Sequence, residues 1–251
     1  MMEQQSQELL NEADRCFVEG NIDRAINIAE SLALQKDMGG IEKVCAYRYA
    51  RMISVARIIG PKDYDTLEED CNGVINAGNS LFNMWKGLLD TQELWPHLNL
   101  TADIINDKMN SYRSMILNAI YCLAIVKNFR DHDSDGVIEL IGSSRNSREK
   151  TLCGLAYLNK EEYDIAFAIY ASVYADAAYN ASNKWDGEQI LYESALVGLA
   201  NYKRLSANDY EEAVRILNTC LAGVTNEEVR SDIQKELSRY KKNIFGKWTY
   251  N

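Results

Sequence analysis

The chain has 251 residues, of which 47% are hydrophobic and 25% are charged, and its net charge is −10. These values are typical of a globular protein with a sizeable core. A protein that binds duplex nucleic acid normally has a cluster of basic residues, and the acidic charge of this chain argues against that class. Only Pro61 and Pro96 interrupt the chain, and such scarcity of proline favours long helices. We therefore predict a helical protein with no nucleic-acid partner.

The N-terminal residues lack the basic and apolar regions of a signal peptide, and no apolar run reaches the length of a membrane span. The six cysteines are scattered without a Cys-x-x-Cys pair, and the chain has only two histidines, so zinc binding is disfavoured. Buried free thiols in a reducing compartment are the simpler interpretation. We predict a cytoplasmic protein with no membrane partner.

Apolar residues recur at helical spacing along most of the chain, without a convincing strand-like alternation. The first two helices are predicted over 7–18 and 21–34, and Gly20 suits the left-handed cap between them. A third helix over 40–59 is apolar on much of its surface and is expected to be central. Further helices are predicted over 66–93, 102–128, 137–158, 161–181, 187–204, 209–222 and 225–247, with a break at Pro96 and a polar loop over 130–136. The fold class is therefore all-α.

Three turns have similar sequences, at Gly20–Ala25, Glu161–Ala166 and Asn208–Ala213. Each places an alanine shortly after a polar turn, which lets two antiparallel helices approach closely. The pattern resembles the inner turn of tetratricopeptide repeats, but the turns are not separated by multiples of about 34 residues, so a regular solenoid is not expected. We expect four tyrosines to pack between helices rather than to form a binding strip. They are Tyr163, Tyr170, Tyr174 and Tyr179.

The last predicted helix has the most distinctive sequence of the chain. Thr225 and Glu228 have the spacing of a capping box. One helical stripe is formed by Val229, Ile233, Leu237, Tyr240, Ile244 and Trp248. With Asn226-Glu227-Glu228 at its start and Trp248-Thr249 at its end, this segment resembles the last helix of the 14-3-3 family.

Other segments resemble the same family in the same order. The opening from Glu8-Leu9-Leu10 to Arg24-Ala25 is similar to its first helix pair, Glu42–Arg51 to its third helix, and Tyr202–Leu205 to its seventh-to-eighth junction. Residues 60–100 match poorly and are predicted to be an insertion. The resemblance implies one domain over 1–251, with about nine antiparallel helices stacked around a concave groove.

The resemblance also implies a function, that of a non-enzymatic adaptor which binds phosphoserine or phosphothreonine peptides of client proteins. Phosphate binding requires fixed positive charge, which arginine supplies with paired donors. Arg48 matches the lysine position of the third helix, Arg57 lies near the next position, and Arg148 matches the fifth-helix arginine. Asn201 lies about one turn after the position of the peptide-holding asparagine. The alternative for each arginine is a surface charge or an ion-pair partner.

The family is usually dimeric, so a homodimer is expected. In this chain Asp14, Arg15 and Glu19 occupy faces of the first helix where the family buries small residues. Charges are costly to bury unless they are paired. The expected dimer is therefore a weakened one.

A loop at 131–138 copies the start of a calcium-binding loop, with Asp131, Asp133 and Asp135 as alternating carboxylates and Gly136 at the sharp turn. The twelfth position should be a bidentate glutamate and is Gly142. A polar loop in which an aspartate caps the following helix is the alternative. We predict no metal site, and these three aspartates are the weak candidate.

The sequence contains no recognisable catalytic motif or phosphate-binding glycine loop, so no enzyme activity and no cofactor are predicted. A phosphopeptide adaptor is the first hypothesis, and a tetratricopeptide-like scaffold that binds unmodified helices or chain termini is the second. A catalytic all-α protein is a distant third. Converging arginine or lysine side chains would distinguish the first hypothesis from the second.

Overall fold

The structure is a computed structural model of the whole chain. It describes residues 2–57, 63–180, 186–224 and 227–251, and within these ranges it describes the side chains of all residues but 2, 3, 57, 177–180, 186–195, 228 and 229. The prediction of an all-α fold is confirmed. The helices found in the described ranges are α1 Met2–Val18, α2 Ile22–Ala33, α3 Met38–Arg57, α4 Tyr64–Leu89, α5 Ala102–Phe129, α6 Ser134–Ile141, α7 Ser147–Asn159, α8 Tyr163–Asn180, α9 Asp186–Ala207, α10 Tyr210–Gly223 and α11 Glu227–Ser238. Within these ranges, every helix is too short or too polar to cross a bilayer.

The chain divides into two compact units, Met1–Asp131 and His132–Asn251. In the first unit, successive helices from α1 to α5 pack against one another, and α3 also contacts α1 and α5. The third helix is therefore central to its unit, as its apolar surface predicted. The prediction of a single domain over the whole chain stays a prediction.

The core of the first unit draws on all five of its helices, and α4 is an integral part of it. Leu67, Cys71, Val74 and Leu81 of α4 are fully buried. Residues 60–100, predicted to be an insertion, thus include a helix that the core depends on. A short 3₁₀ helix over Gln92–Leu94 and a series of turns join α4 to α5, which fits the predicted break near Pro96.

The second unit contains α6 to α11, and its helices α7 to α10 pack in chain order. The single helix predicted over 137–158 is in fact two, because the chain leaves the helix at Gly142 and starts again after Asn146. The side chain of Asn146 accepts a hydrogen bond from the Arg148 amide, which satisfies a donor at the start of α7. All six cysteines are buried and free, as predicted.

The prediction of a helix over 225–247 is wrong for the second half of that segment. Helix α11 ends at Ser238, and the chain continues as two antiparallel strands, β1 Tyr240–Lys242 and β2 Trp248–Tyr250. Tyr240 is buried and its ring meets those of Tyr210 and Tyr250 edge-on. Burial of the Tyr240 ring against α10 favours the strands. The predicted capping box at Thr225 and Glu228 lies outside the described residues.

The three similar turns share one backbone feature, which the sequence predicted only for Gly20. Positive φ angles of 82°, 62° and 52° occur at Gly20, Glu161 and Asn208. The alanine that follows each turn is fully buried, and these residues are Ala25, Ala166 and Ala213. A larger side chain at any of the three would push the two helices of the pair apart.

Tyr170 of α8 holds three helices together in the second unit. Its ring is buried and lies against Gly154 of α7 and Gly198 of α9. A Cβ atom added to Gly154 would lie 2.7 Å from the ring, and one added to Gly198 would lie closer still. The tyrosine is therefore a packing residue, as predicted, and the two glycines make room for it.

Gly198→Ala tests this packing, with Gly87→Ala as its control. Alanine is the better helix former by about 1 kcal/mol, but at position 198 its methyl group would overlap the Tyr170 ring. Overpacking of this kind costs about 1–3 kcal/mol. We expect Gly198→Ala to lower the melting temperature in thermal unfolding. Gly87 has open space around it in α4, so the same substitution there should leave the melting temperature unchanged or raise it.

Candidate binding surfaces

Arg48 lies in the core of the first unit, where α3 meets α2 and α4. Its side chain is only 9% exposed. It donates hydrogen bonds to Glu30 at 2.5 and 3.0 Å, to Glu69 at 2.9 Å and to Asp70 at 2.9 Å. Burial alone would lower the pKa of Arg48, but the hydrogen bonds to Glu30 and Glu69 raise it. The guanidinium therefore stays charged and is fully engaged.

Asp70 is the centre of this network. Its side chain is fully buried and accepts two hydrogen bonds from Arg51, at 2.7 and 2.8 Å, in addition to the one from Arg48. Arg51 also pairs with Asp23 on α2. Paired, parallel hydrogen bonds of this kind are among the strongest that a carboxylate can accept. We call Arg48, Arg51, Glu30, Glu69 and Asp70 the buried charge network.

The buried charge network is a poor place for a phosphate. Its two arginines are matched by three carboxylates, and Asp23 adds a fourth. An incoming phosphate would meet net negative charge and would have to compete with carboxylates that already hold both guanidinium groups. Arg48 thus has the ion-pair role that the sequence left open as its alternative.

The other predicted phosphopeptide residues are distributed over both units. Arg57 ends α3, and its side chain lies outside the described residues. Arg148 is exposed at the start of α7 and belongs to the seventh helix in chain order rather than the fifth. Asn201 is half-buried on α9, and its side-chain oxygen accepts a hydrogen bond of 3.3 Å from Arg204. Arg48 belongs to the first unit, whereas Arg148 and Asn201 belong to the second.

The aspartates of the calcium-like loop have separate roles. Asp131 accepts a hydrogen bond of 2.7 Å from Arg130, which lowers the pKa of its carboxyl group. Asp133 caps α6 by accepting a 2.8 Å hydrogen bond from the Gly136 amide, and Asp135 pairs with Lys160 at 2.6 Å. The capping role is the alternative that the sequence analysis gave for this loop. Among the residues that the structure describes, no cluster of three metal-ligating side chains is present.

The charges of α1 that bear on dimerisation are partly compensated within the chain. Asp14 accepts hydrogen bonds of 2.5 Å from both Lys43 and Tyr47 of α3. Burial alone would raise the pKa of Asp14, but these two hydrogen bonds lower it. Arg15 and Glu19 are exposed. The homodimer stays a prediction.

A groove of about 290 Å³ lies between α6, α7 and α8 of the second unit. Its apolar wall includes Ile141, Cys153, Ile165, Ala168 and Ile169, and its polar wall includes Ser144, Lys150 and Ser172. Burial and the nearby Glu149 raise the pKa of the Cys153 thiol to about 11, so this cysteine is a neutral wall residue at neutral pH. We call this the α6–α8 groove.

The cation of the α6–α8 groove is loosely held. The Lys150 ammonium lies 3.4 Å from the Ser172 hydroxyl and 3.8 Å from a carboxylate oxygen of Asp176, which is itself largely exposed. Contacts of this length contribute little in water. Lys150 is therefore available to an anionic group that enters the groove.

Another groove, of about 270 Å³, lies in the first unit between α3 and α5. Its two lysines have partners. Lys43 pairs with Asp14, and Lys108 lies over the ring of Trp85 at 5.8 Å. The Tyr112 hydroxyl in its wall donates to Glu42. This groove offers less free charge to a ligand than the α6–α8 groove.

Sequence reasoning missed both the α6–α8 groove and the exposed turn between β1 and β2. The groove has no local signal, since its walls come from three helices. The turn did have one, because Asn243 and Gly246 are typical turn residues and the β-branched and aromatic run Trp248-Thr249-Tyr250 follows them, as in a hairpin. The helical spacing of Tyr240, Ile244 and Trp248 concealed it.

Comparison with models of known protein families gives no match for this chain, and comparison with curated proteins gives none either. The resemblance to the 14-3-3 family thus rests on the residues quoted above. Two of its landmarks, Trp248 and Thr249, lie on a strand rather than on the final helix. The resemblance stays a hypothesis.

Asp70→Asn tests whether the buried charge network stabilises the first unit. The substitution keeps the shape of the side chain but removes the buried charge that Arg48 and Arg51 both contact. Breaking a buried pair in this way costs about 3–5 kcal/mol, so we expect a lower unfolding midpoint in urea. Asp23→Asn is the matched control, because Asp23 pairs with the same Arg51 but is exposed, and such pairs contribute about 1 kcal/mol or less. Equal effects of the two substitutions would contradict the central role of Asp70.

Proposed function

We propose that the protein is a non-enzymatic adaptor whose second unit binds unmodified segments of other proteins in the α6–α8 groove. The observation that carries the proposal is the combination of an apolar wall with one loosely held cation, Lys150. Such a site suits a segment that inserts an apolar side chain and places a carboxylate on the lysine. The carboxylate is either an acidic side chain or a chain terminus.

The size of the groove supports a side chain as its occupant rather than a whole small molecule. Pockets that enclose small ligands have volumes of about 300–1,000 Å³, and the α6–α8 groove lies just below that range. A protein segment needs only one or two anchoring side chains in a pocket, and the rest of the segment lies along the helix surface. Ile165, half-exposed at the edge of the groove, extends the apolar contact.

The buried charge network favours this adaptor over a phosphopeptide reader. A phosphate requires arginines with free donors, and the donors of Arg48 are directed at Glu30, Glu69 and Asp70. The phosphopeptide hypothesis needs Arg48 to join Arg148 and Asn201 in one site, and the donors of Arg48 are already occupied. The buried free thiols also fit a protein of a reducing compartment such as the cytosol.

Filling the groove is the direct test. Ala168 is exposed and lines the groove, so Ala168→Trp should occlude it without disturbing the core. Peptides selected against the full chain from a random displayed library would be titrated by calorimetry into the wild type and the variants. We expect Ala168→Trp to weaken binding at least tenfold. Lys150→Glu should do the same, because a charge-assisted hydrogen bond contributes about 1.5–3 kcal/mol.

The matched control is Ala222→Trp, which adds the same side chain to an exposed position of α10. It should bind like the wild type. The selected peptides would also be synthesised with phosphoserine in place of serine. If phosphorylation strengthened binding and Arg148→Glu abolished that gain, while Ala168→Trp had no effect, the phosphopeptide hypothesis would replace this one.

A further inference from the structure

The turn between β1 and β2 presents two large apolar side chains to water. Ile244 is 93% exposed and Phe245 is 81% exposed. Adjacent side chains of this size that remain so exposed forgo the stabilisation that burial would give. We call residues 240–250 the C-terminal hairpin and these two side chains its tip.

The tip is held outward by a well-bonded turn. The Asn243 side-chain oxygen accepts hydrogen bonds of 3.0 Å from the amides of Phe245 and Lys247. The Asn243 amide donates to the Lys247 carbonyl at 2.8 Å, and the Gly246 amide donates to the Asn243 carbonyl at 2.9 Å. Gly246 has a φ angle of 75°, which suits glycine. Four backbone donors of the turn, those of Asn243, Phe245, Gly246 and Lys247, are thus bonded within it, which lowers the cost of moving the turn out of water.

The charge around the tip is positive in an otherwise acidic chain. Residues 237–251 contain four basic and no acidic side chains, whereas the whole chain has a net charge of −10. Arg239 pairs with Glu236. Lys241, Lys242 and Lys247 are exposed, and none of them pairs with a carboxylate among the described side chains. The Lys242 ammonium lies 5.0 Å from the Trp248 ring centre.

We propose that the C-terminal hairpin docks on an anionic phospholipid bilayer, with Ile244 and Phe245 in the interface and the three lysines at the headgroups. A bilayer accepts a convex apolar tip without a matching pocket, whereas a protein partner would have to supply one. The internal hydrogen bonds of the turn satisfy four of its backbone donors, and a backbone group that leaves water needs such a partner. The contact is peripheral and involves no membrane-spanning segment, so it departs from the prediction of no membrane partner, which rested on the lack of an apolar run of that length.

Charge sets the orientation and the salt dependence of this contact. Each lysine near an anionic surface contributes about 1 kcal/mol, or roughly a fivefold gain in binding. The net negative charge of the remainder of the chain is repelled by the same surface, which favours the orientation in which the hairpin faces it. The attraction acts within a Debye length, about 8 Å at physiological salt, and weakens as salt is added.

Vesicle sedimentation with the full chain tests the proposal. Vesicles of phosphatidylcholine and phosphatidylserine in equal amounts would be compared with vesicles of phosphatidylcholine alone. We expect binding to the mixed vesicles that falls with salt, and at least tenfold weaker binding to the neutral ones. Ile244→Ser with Phe245→Ser should weaken binding to the mixed vesicles at least tenfold, as should Lys241→Gln with Lys247→Gln.

The control for the tip variant is Leu34→Ser with Val18→Ser, because both side chains are more than 80% exposed in the first unit. This control should sediment like the wild type. The tip variant changes only exposed side chains, and unaltered thermal unfolding would show that it folds. Absence of binding by the wild type would overturn the proposal and leave a protein pocket as the partner of the tip. Undiminished binding by the folded tip variant would also overturn it, because charge alone would then explain the attraction.

Discussion

Close contact between neighbouring helices is the constraint on which the rest of this structure depends. The alanines that follow the three similar turns have no accessible surface, and Tyr170 fits only because Gly154 and Gly198 lack side chains. Protein interiors are packed as densely as organic crystals, so a single extra methyl group at such a crossing must displace a helix. This packing fixes α7, α8 and α9 relative to one another, and two of these helices form walls of the α6–α8 groove.

The first unit uses its arginines for structure. Arg48 and Arg51 meet Asp70 in a fully buried position, and the same two side chains reach carboxylates on α2. A well-packed apolar cluster could stabilise these helices as effectively. An ion network differs in that its hydrogen bonds form in only one register of α2, α3 and α4. The consequence for function is that these charges are unavailable to a ligand, although arginine on the third helix is what a phosphate reader would need.

The second unit holds both of the surfaces proposed to bind a partner. The α6–α8 groove is concave and has one loosely held cation, Lys150, which suits an anchoring side chain and a carboxylate. The C-terminal hairpin is convex and combines apolar tip residues with lysines, which suits a deformable anionic surface. An adaptor that holds a protein segment at one site and a bilayer at another would bring the two together.

The sequence by itself determined the helical class, most helix positions and the three close turns, because periodicity and turn chemistry are local. Tertiary structure alone decided the partners of Arg48, since Glu30 lies 18 residues away and a helical pattern does not say which carboxylate faces it. It likewise decided the end of the chain. The spacing of Tyr240 and the residues after it fits a helix, while Asn243 and Gly246 fit a turn. Burial of the Tyr240 ring against α10 selects the hairpin. Such a contact joins segments that are distant in sequence, so the local spacing of residues could not predict it.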